Sequence, residues 1–460
     1  MPTLVQKFGG SSVADTARVR RCAQRAYDAC QQGHAVVVVV SAMGKTTDRL
    51  IEMAHEISAD PLRREMDQLM AAGEQVTIAL TAIALRELGQ DAISMTAGQA
   101  GLKTDAVHTR ARVRAIERDR IQRELDKGRV VVVAGFQGTT DEGDVTTLGR
   151  GGSDTSAVAI AAAVGAEVCE IYTDVDGVYT ADPRIVPEAR KIERISYEAM
   201  LELAALGAKV MAPRAVLMGA AHNMPIHVRH SMLPDAGTMI VEETPDMEQE
   251  KVTGVALKTN LGRVTITELP VGAGAQARLF ARLAEQSILV DDIIQNQVSS
   301  KTANVSFTVD HADLVEIKPV VEGVLRAVAS GFRPMSPASS QAAEGASRVP
   351  PPSRGGSETG PDPEGRPPQA GDLPTMRVDI GLCKVSAVGV GMRTHTGVAA
   401  TMFRALSDAG VNIENITTSE IKISCILSQA DGERAMRAVH EAFNLGAEAP
   451  REAVGARIEE

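Results

Sequence analysis

The sequence predicts an α/β protein: a doubly wound αβα sandwich over residues 1–245, followed by two small βαββαβ units. Three observations carry that prediction. The first 245 residues alternate continuous apolar runs with amphipathic stretches, the pattern of strands buried on both faces and of the helices that cover them. Hydrophobic residues make up 44% of the chain but aromatics only 2%, with no Trp, so the core must be built from Val, Ile, Leu, Ala and Met. From about Lys251 the elements shorten and the chain repeats itself: residues 274–283 align with 397–406, Phe280 opposite Phe403 and Leu283 opposite Leu406.

Taken in order, the apolar runs at residues 4–6, 35–40, 130–134 and 168–172 predict buried strands, and residues 14–32, 67–88 and 110–127 predict helices between them. The first small unit is expected at 251–331 with 376–382, and the second at 383–446. Residues 332–375 hold 10 of the 21 prolines, with abundant Gly, Ser and charge. Such a segment cannot bury enough surface to offset its ordering entropy and predicts a disordered insertion. Residues 447–460 read as a flexible tail.

At 460 residues the chain exceeds what one core usually supports, so two or three domains are expected. The formal net charge is -11, and no basic stripe with interleaved aromatics is present, which argues against a nucleic-acid partner. The five cysteines are scattered without a CxxC pair, indicating neither zinc nor a disulfide framework. The first residues lack a charged region followed by an apolar one, and no uninterrupted apolar run approaches the ~20 residues of a membrane span. A cytoplasmic protein without a membrane partner is expected.

Three segments carry chemistry. In the first, Lys7 ends a predicted strand and is followed by Gly9, Gly10, Ser11 and Ser12 before a helix. Glycines let the backbone approach phosphate oxygens, and a helix N-terminus offers N–H groups with partial positive charge. Alone, this segment could equally be a tight turn with a solvated lysine. The second, residues 147–157, sets Gly149, Arg150, Gly151, Gly152, Ser153 and Asp154 before an apolar helix. The fork of Arg150 suits a carboxylate. Asp154 could simply cap its helix, but capping leaves Arg150 and three glycines unexplained. The third runs from Tyr172 to Arg184 through Thr173, Asp174, Gly177 and Tyr179. The Gly44-Lys45-Thr46 triplet is no P-loop, because Val39 stands where the loop needs its first glycine. The GxGxxA pattern from Gly272 lies in a unit too short for a dinucleotide domain.

Together these segments resemble the signature motifs of aspartokinases, within the amino acid kinase superfamily, and the two small repeats resemble ACT domains. The resemblance spans residues 4 to about 443 apart from the Pro-rich insertion. It implies that ATP is held by Lys7, Gly9, Gly10, Ser12, Thr173, Asp174, Tyr179, Arg184, Lys209 and Val210. L-Aspartate would be held by Ser41, Thr47, Glu74, Arg150, Gly152 and Ser153, with Glu74 taking its α-amino group and Arg150 its α-carboxylate. Lys7, Asp154 and Lys209 would be catalytic, Asp154 ordering the lysines, and Mg²⁺ would arrive with ATP rather than on a protein metal site. On periodicity alone, Glu74 and Lys209 read as solvated helix residues. The implied reaction is phosphorylation of the aspartate side-chain carboxylate to 4-phospho-L-aspartate, the first step of lysine, threonine and methionine biosynthesis. A carboxylate is already ionised at neutral pH, so no general base is needed.

The ACT pair implies feedback by lysine, threonine or both, and a homodimer or higher homo-oligomer. Val290, Asp291, Gln295, Asn296, Asn412, Ile413, Thr417 and Ser419 match effector positions. The first copy has residues 270–275, Pro-Val-Gly-Ala-Gly-Ala, where an Asp-Lys-Pro-Gly type loop is common, so the effector itself is not implied. Two other readings are an enzyme of the same superfamily acting on glutamate, N-acetylglutamate or UMP, and a catalytically dead amino-acid sensor.

Overall fold

Five consecutive valines, Val36–40, can be satisfied only where a strand is covered on both sides, and that strand sits near the middle of the main sheet. The computed structural model describes residues 1–207, 210–271, 274–286, 288–300, 302–329 and 374–446. Lys209, the predicted tail and the predicted insertion, apart from its last two residues, lie outside the described residues; Thr375 already belongs to a strand, Thr375–Val388. The chain divides into two compact units, Met1–Lys258 with Lys384–Glu460, and Thr259–Cys383.

The first unit is built on eight strands: β1 (Thr3–Phe8), β2 (Ala35–Val40), β3 (Ala92–Met95), β4 (Val130–Ala134), β5 (Val168–Thr173), β6 (Arg194–Ser196), β7 (Ile226–His230) and β8 (Thr238–Val241). Their order across the sheet is β6-β8-β7-β5-β1-β2-β4-β3, and all neighbours are parallel except β7 and β8. Strand order reverses at β1, so the carboxyl ends of β1, β2 and β5 open a crevice, where doubly wound sheets place ligands. The register sets Lys7 opposite both Val39 and Ile171.

Alternation along the strands divides the core. Val36, Val38 and Val40 face α1 (Thr16–Gln31) and α4 (Ala72–Glu87), packing with Phe8, Val19, Leu85 and Tyr172. Val37 and Val39 face the other way, toward α6 (Gly152–Val164), where Val5, Ile160, Met200 and Val216 complete the layer. Asp15 caps α1 by accepting from the Arg18 N–H at 2.8 Å. The predicted helix at 67–88 consists of α3 (Arg63–Met70) and α4, joined at Ala71. Arg63–Glu87 is, among the described residues, the one helical stretch long and apolar enough to cross a bilayer, yet Ile78 and Leu85 are buried in the core. The helix predicted over 110–127 is corrected: Val113–Ile116 is a strand paired with Leu102–Thr104, and only Asp119–Leu125 is helical, as α5. Pairing within a small four-stranded sheet overrides the local helical signal there.

The second repeat belongs to this first unit. Strand residues 384–388, helix Val398–Asp408, strands Asn415–Thr418 and Lys422–Ser428 and helix Gly432–Ala442 follow one another, and Val388, Val390 and Ile421 join the same core as Val5. Arg393 bonds Glu198 at 2.5 Å and Glu243 at 3.1 Å, and Lys422 bonds Glu202 at 2.8 Å. Glu198 and Glu202 both stand on α7 (Tyr197–Ala205).

The second unit runs strand (residues 259–270), helix Ala275–Glu285, strands Asp291–Gln297 and Thr302–Asp310, helix Leu314–Ala329 and strand residues 375–383. Val264 pairs with Phe307 in antiparallel register, and Leu279, Leu283, Ile317 and Val321 close the core against them.

Candidate active site

Lys7 reaches the carboxyl end of β1 with only 7% of its surface exposed, and a buried ammonium requires a partner. It has one: Asp154, in the first turn of α6, lies 2.5 Å from its Nζ. Asp154 therefore serves the lysine, and among the described residues no side chain caps α6, whose N-cap Gly151 is left-handed at φ 72°. The segment after Lys7 folds tightly. Gly10–Val13 is a 3-10 turn, and α1 follows it over Thr16–Gln31, within the helix expected at 14–32. A Cβ at Gly10 would sit 3.0 Å from the Ala42 carbonyl oxygen, so this position lets the loop lie against residues 42–44, where the Gly44 N–H donates to Gly10 O at 3.0 Å. Ser12 is buried and donates to Tyr172 O at 3.4 Å.

The end of β2 meets α6 through the Ser41 and Ser153 hydroxyls, 2.8 Å apart. Glu74, in the first turn of α4, is 2% exposed, not the solvated residue that periodicity suggests. Its Oε1 accepts from the Ala42 N–H at 3.0 Å, Oε2 has no partner among the described residues, and burial pushes the carboxyl up to about 7. One buried carboxylate oxygen is thus held by the loop and the other is left for a donor. Thr47 lies half-buried in the first turn of α2 (Thr46–Ile57). Gly152 is buried under Leu148 and the ring of Phe136, whereas Arg150 is exposed and has no ion pair among the described residues.

At the end of β5, the Thr173 hydroxyl donates to the Asp174 carboxylate at 3.1 Å. Beyond it, Asp176 accepts from the Tyr179 hydroxyl at 2.9 Å and pairs with Lys191 at 2.7 Å, and Lys191 also pairs with Asp235 at 2.6 Å. Arg184 is highly exposed and folds back on Asp182 at 2.6 Å. The structure thus gathers Lys7, Gly9, Gly10, Ser12, Ser41, Glu74, Ser153 and Asp154 around the ends of three strands, while Arg184 pairs locally and Val210 stands at the edge of the described residues.

Of the effector positions, Asp291, Gln295 and Asn296 lie on the strand Asp291–Gln297, directly after Val290, and Gln295 accepts from the Gln276 amide at 2.9 Å. Thr417 lies on Asn415–Thr418, Asn412 and Ile413 precede it, and Ser419 follows it and donates its N–H to Lys422 O. Lys191, Phe136, Asp67 and Arg214, each of which shapes these loops, lie outside the site residues expected from sequence. Lys191 offered no signal because its two carboxylate partners are distant in sequence, and Phe136 declares itself only through a left-handed backbone at φ 67°. Among the described residues, no group of three His, Cys, Asp or Glu is placed to hold a metal ion.

Comparison with known proteins agrees with this architecture. The amino acid kinase family model matches residues 2–230, and an ACT domain model matches residues 385–443. The aspartokinase of Geobacillus stearothermophilus is 44% identical over 449 residues, 98% of this chain and 99% of that protein. Aspartokinase 2 of Bacillus subtilis is 43% identical over 445 residues, 97% of this chain and 98% of that one. The structure of Escherichia coli aspartokinase III, in complex with aspartate and ADP, shares the fold with a TM-score of 0.73 at 24% identity, over 96% of this chain and 99% of that one.

Proposed function

We propose, from the premise that this chain belongs to the aspartokinase family, that it transfers the γ-phosphoryl group of ATP to the side-chain carboxylate of L-aspartate, giving 4-phospho-L-aspartate and ADP. The observation that carries the reading is the ion pair of buried Lys7 with Asp154 at the switch point of the sheet, beside two glycine-bearing loops and the N-terminus of α6. Phosphoryl transfer asks the protein for in-line positioning and for neutralisation of charge. Lys7 would supply a cation whose direction is fixed by Asp154 before the nucleotide arrives, and Gly9 and Gly10 would let backbone approach the phosphates, with Ser12 nearby. Mg²⁺, arriving with the nucleotide, would neutralise phosphate charge.

Thr173, Asp174, Tyr179, Arg184, Lys209 and Val210 would surround the nucleotide. Arg184 would have to leave Asp182 to reach a phosphate, at small cost because that pair is exposed. On the acceptor side, Arg150 would receive the α-carboxylate and Glu74 the α-amino group, with Ser41, Thr47, Gly152 and Ser153 lining the same place. The acceptor is itself the nucleophile and is already charged, so no residue need remove a proton from it.

Feedback through the ACT repeats is the regulatory reading, with lysine, threonine or both as effector, a homodimer or larger homo-oligomer as the working form, and a cytoplasmic place in lysine, threonine and methionine biosynthesis. The bonds from Arg393 and Lys422 to α7 support it, since α7 leads into the segment that carries Lys209. The test is ADP release from ATP in the presence of aspartate, glutamate, N-acetylglutamate or UMP, with and without lysine and threonine. Release confined to aspartate and depressed by an effector is expected. Turnover with another acceptor, or none with any, would sink the catalytic reading, and indifference to both effectors would sink the regulatory one.

A further inference from the structure

The arginine set against the acceptor's carboxylate stands on an irregular loop, yet that loop is tied to one fully buried carboxylate. Asp67, on α3 and 0% exposed, accepts from the Thr147 hydroxyl at 2.5 Å, from the Thr109 N–H at 3.0 Å through each oxygen, and from His108 Nδ1 at 2.8 Å. None of these donors is local: they stand 41 to 80 positions further along the chain. The carboxylate therefore joins α3 to the loop at residues 105–112 and to Thr147, the end of the strand Val145–Thr147 from which the segment 148–151 starts.

The two loops also grip each other. The Ala111 N–H donates to Thr147 O at 2.9 Å, and a Cβ at Gly149 would meet Thr109 O at 3.0 Å. Arg214, on α8 (Pro213–His222), spans the same pair by donating to Leu148 O at 2.6 Å and Ala111 O at 2.9 Å. Thr109 is held at φ 70°, a conformation that a β-branched residue adopts only when its surroundings impose it. The Asp67 carboxylate, taking that residue's N–H with both oxygens, is what imposes it. The donors of this buried carboxylate stand on the segment that carries Arg150, three residues beyond Thr147, and on the loop bonded to that segment.

We propose that Asp67 is a positioning residue for the phosphoryl acceptor: it fixes the Thr147–Gly151 loop so that the Arg150 guanidinium is presented at one place and angle to a carboxylate. The inference rests on the assignment of Arg150 to that carboxylate. Exposed arginines lose affinity through the freedom they surrender on binding, and a braced loop reduces that loss.

Asp67→Asn keeps the shape but turns one acceptor oxygen into a donor, so at least one of the four bonds is lost. Its KM for aspartate should rise about tenfold, with kcat and the KM for ATP within about twofold. Thr147→Val, which removes the hydroxyl next to the loop, should move the same parameter less. Arg150→Ala should raise the aspartate KM, and adding Asp67→Asn to it should raise it no further, because a misplaced loop cannot weaken a contact already gone. Additive effects in that cycle, or an Asp67→Asn enzyme whose melting temperature falls while the aspartate KM stays unchanged, would overturn the proposal. If Arg150→Ala itself leaves the aspartate KM unmoved, the assignment of Arg150 falls; if Arg150→Ala raises it and Asp67→Asn does not, the positioning role falls alone.

Discussion

Lys7 and Arg150 are both cations set beside glycines next to the N-terminus of α6, and they could hardly be placed more differently. Lys7 is buried and already paired with Asp154, whereas Arg150 is exposed and has no ion pair among the described residues. A buried cation must carry its partner with it, and the partner then fixes where it points before any ligand binds. An exposed one spends nothing on desolvation and is available to a ligand's own charge. On the proposed reading, the first would stabilise charge that develops during reaction, and the second would serve ground-state recognition.

The sharpest way to break that contrast is Lys7→Ala. Turnover should fall by roughly 10²–10³-fold, as when one preorganised donor is removed, and Asp154, half-buried and left without its cation, should cost about 2 kcal/mol of stability in a urea titration. The double variant Lys7→Ala/Asp154→Ala should recover the stability but not the turnover. Wild-type turnover in the single variant would erase the distinction. Arg150→Ala comes next, with a ten- to hundredfold rise in the aspartate KM, kcat little changed and stability within about 0.5 kcal/mol. A fall in kcat at unchanged KM would put Arg150 in the same class as Lys7.

Glu74 sharpens the comparison through pH. Burial raises its carboxyl to about 7 from an ordinary 4.5. On the proposed reading the acceptor's ammonium group would bind the ionised form, so the aspartate KM should fall as pH rises through about 7, and Glu74→Gln should flatten that profile. For stability the sign is opposite: the contribution of the raised pKa is fully present below about 4.5 and lost as pH rises through about 7, so the wild type should lose more stability than Glu74→Gln between those limits. A Glu74→Gln profile parallel to the wild type would exclude the carboxyl as the titrating group. The smallest effect is expected from Arg184→Ala. This arginine is exposed like Arg150 but spends its charge on Asp182, so the KM for ATP should rise about threefold. A change as large as that of Arg150→Ala would mean that exposure alone, and not freedom from a partner, marks a recognition residue.

Much of this was legible in the sequence because some residues tolerate only one setting. Continuous valines demand cover on two faces, and Gly9, Gly10 and residues 149–152 demand close backbone approach, so the strands and loops around the site could be placed. Burial of charge was not legible. Glu74 and Asp67 each sit where a helical pattern would put a solvated residue, and only tertiary contacts, from Ala42 in one case and from loops 41 to 80 positions away in the other, turn them inward. Residues 113–116 misled for the same reason, since their strand exists only by pairing with 102–104.

The discontinuity of the first unit sets the order of events during synthesis. Val388, Val390 and Ile421 are core residues of the same layer as Val5, so that layer is complete only once residue 421 of 460 has been made. The unit at residues 259–383 is complete in sequence before that, so the three residues that close this layer of the first unit are made after the whole of the second.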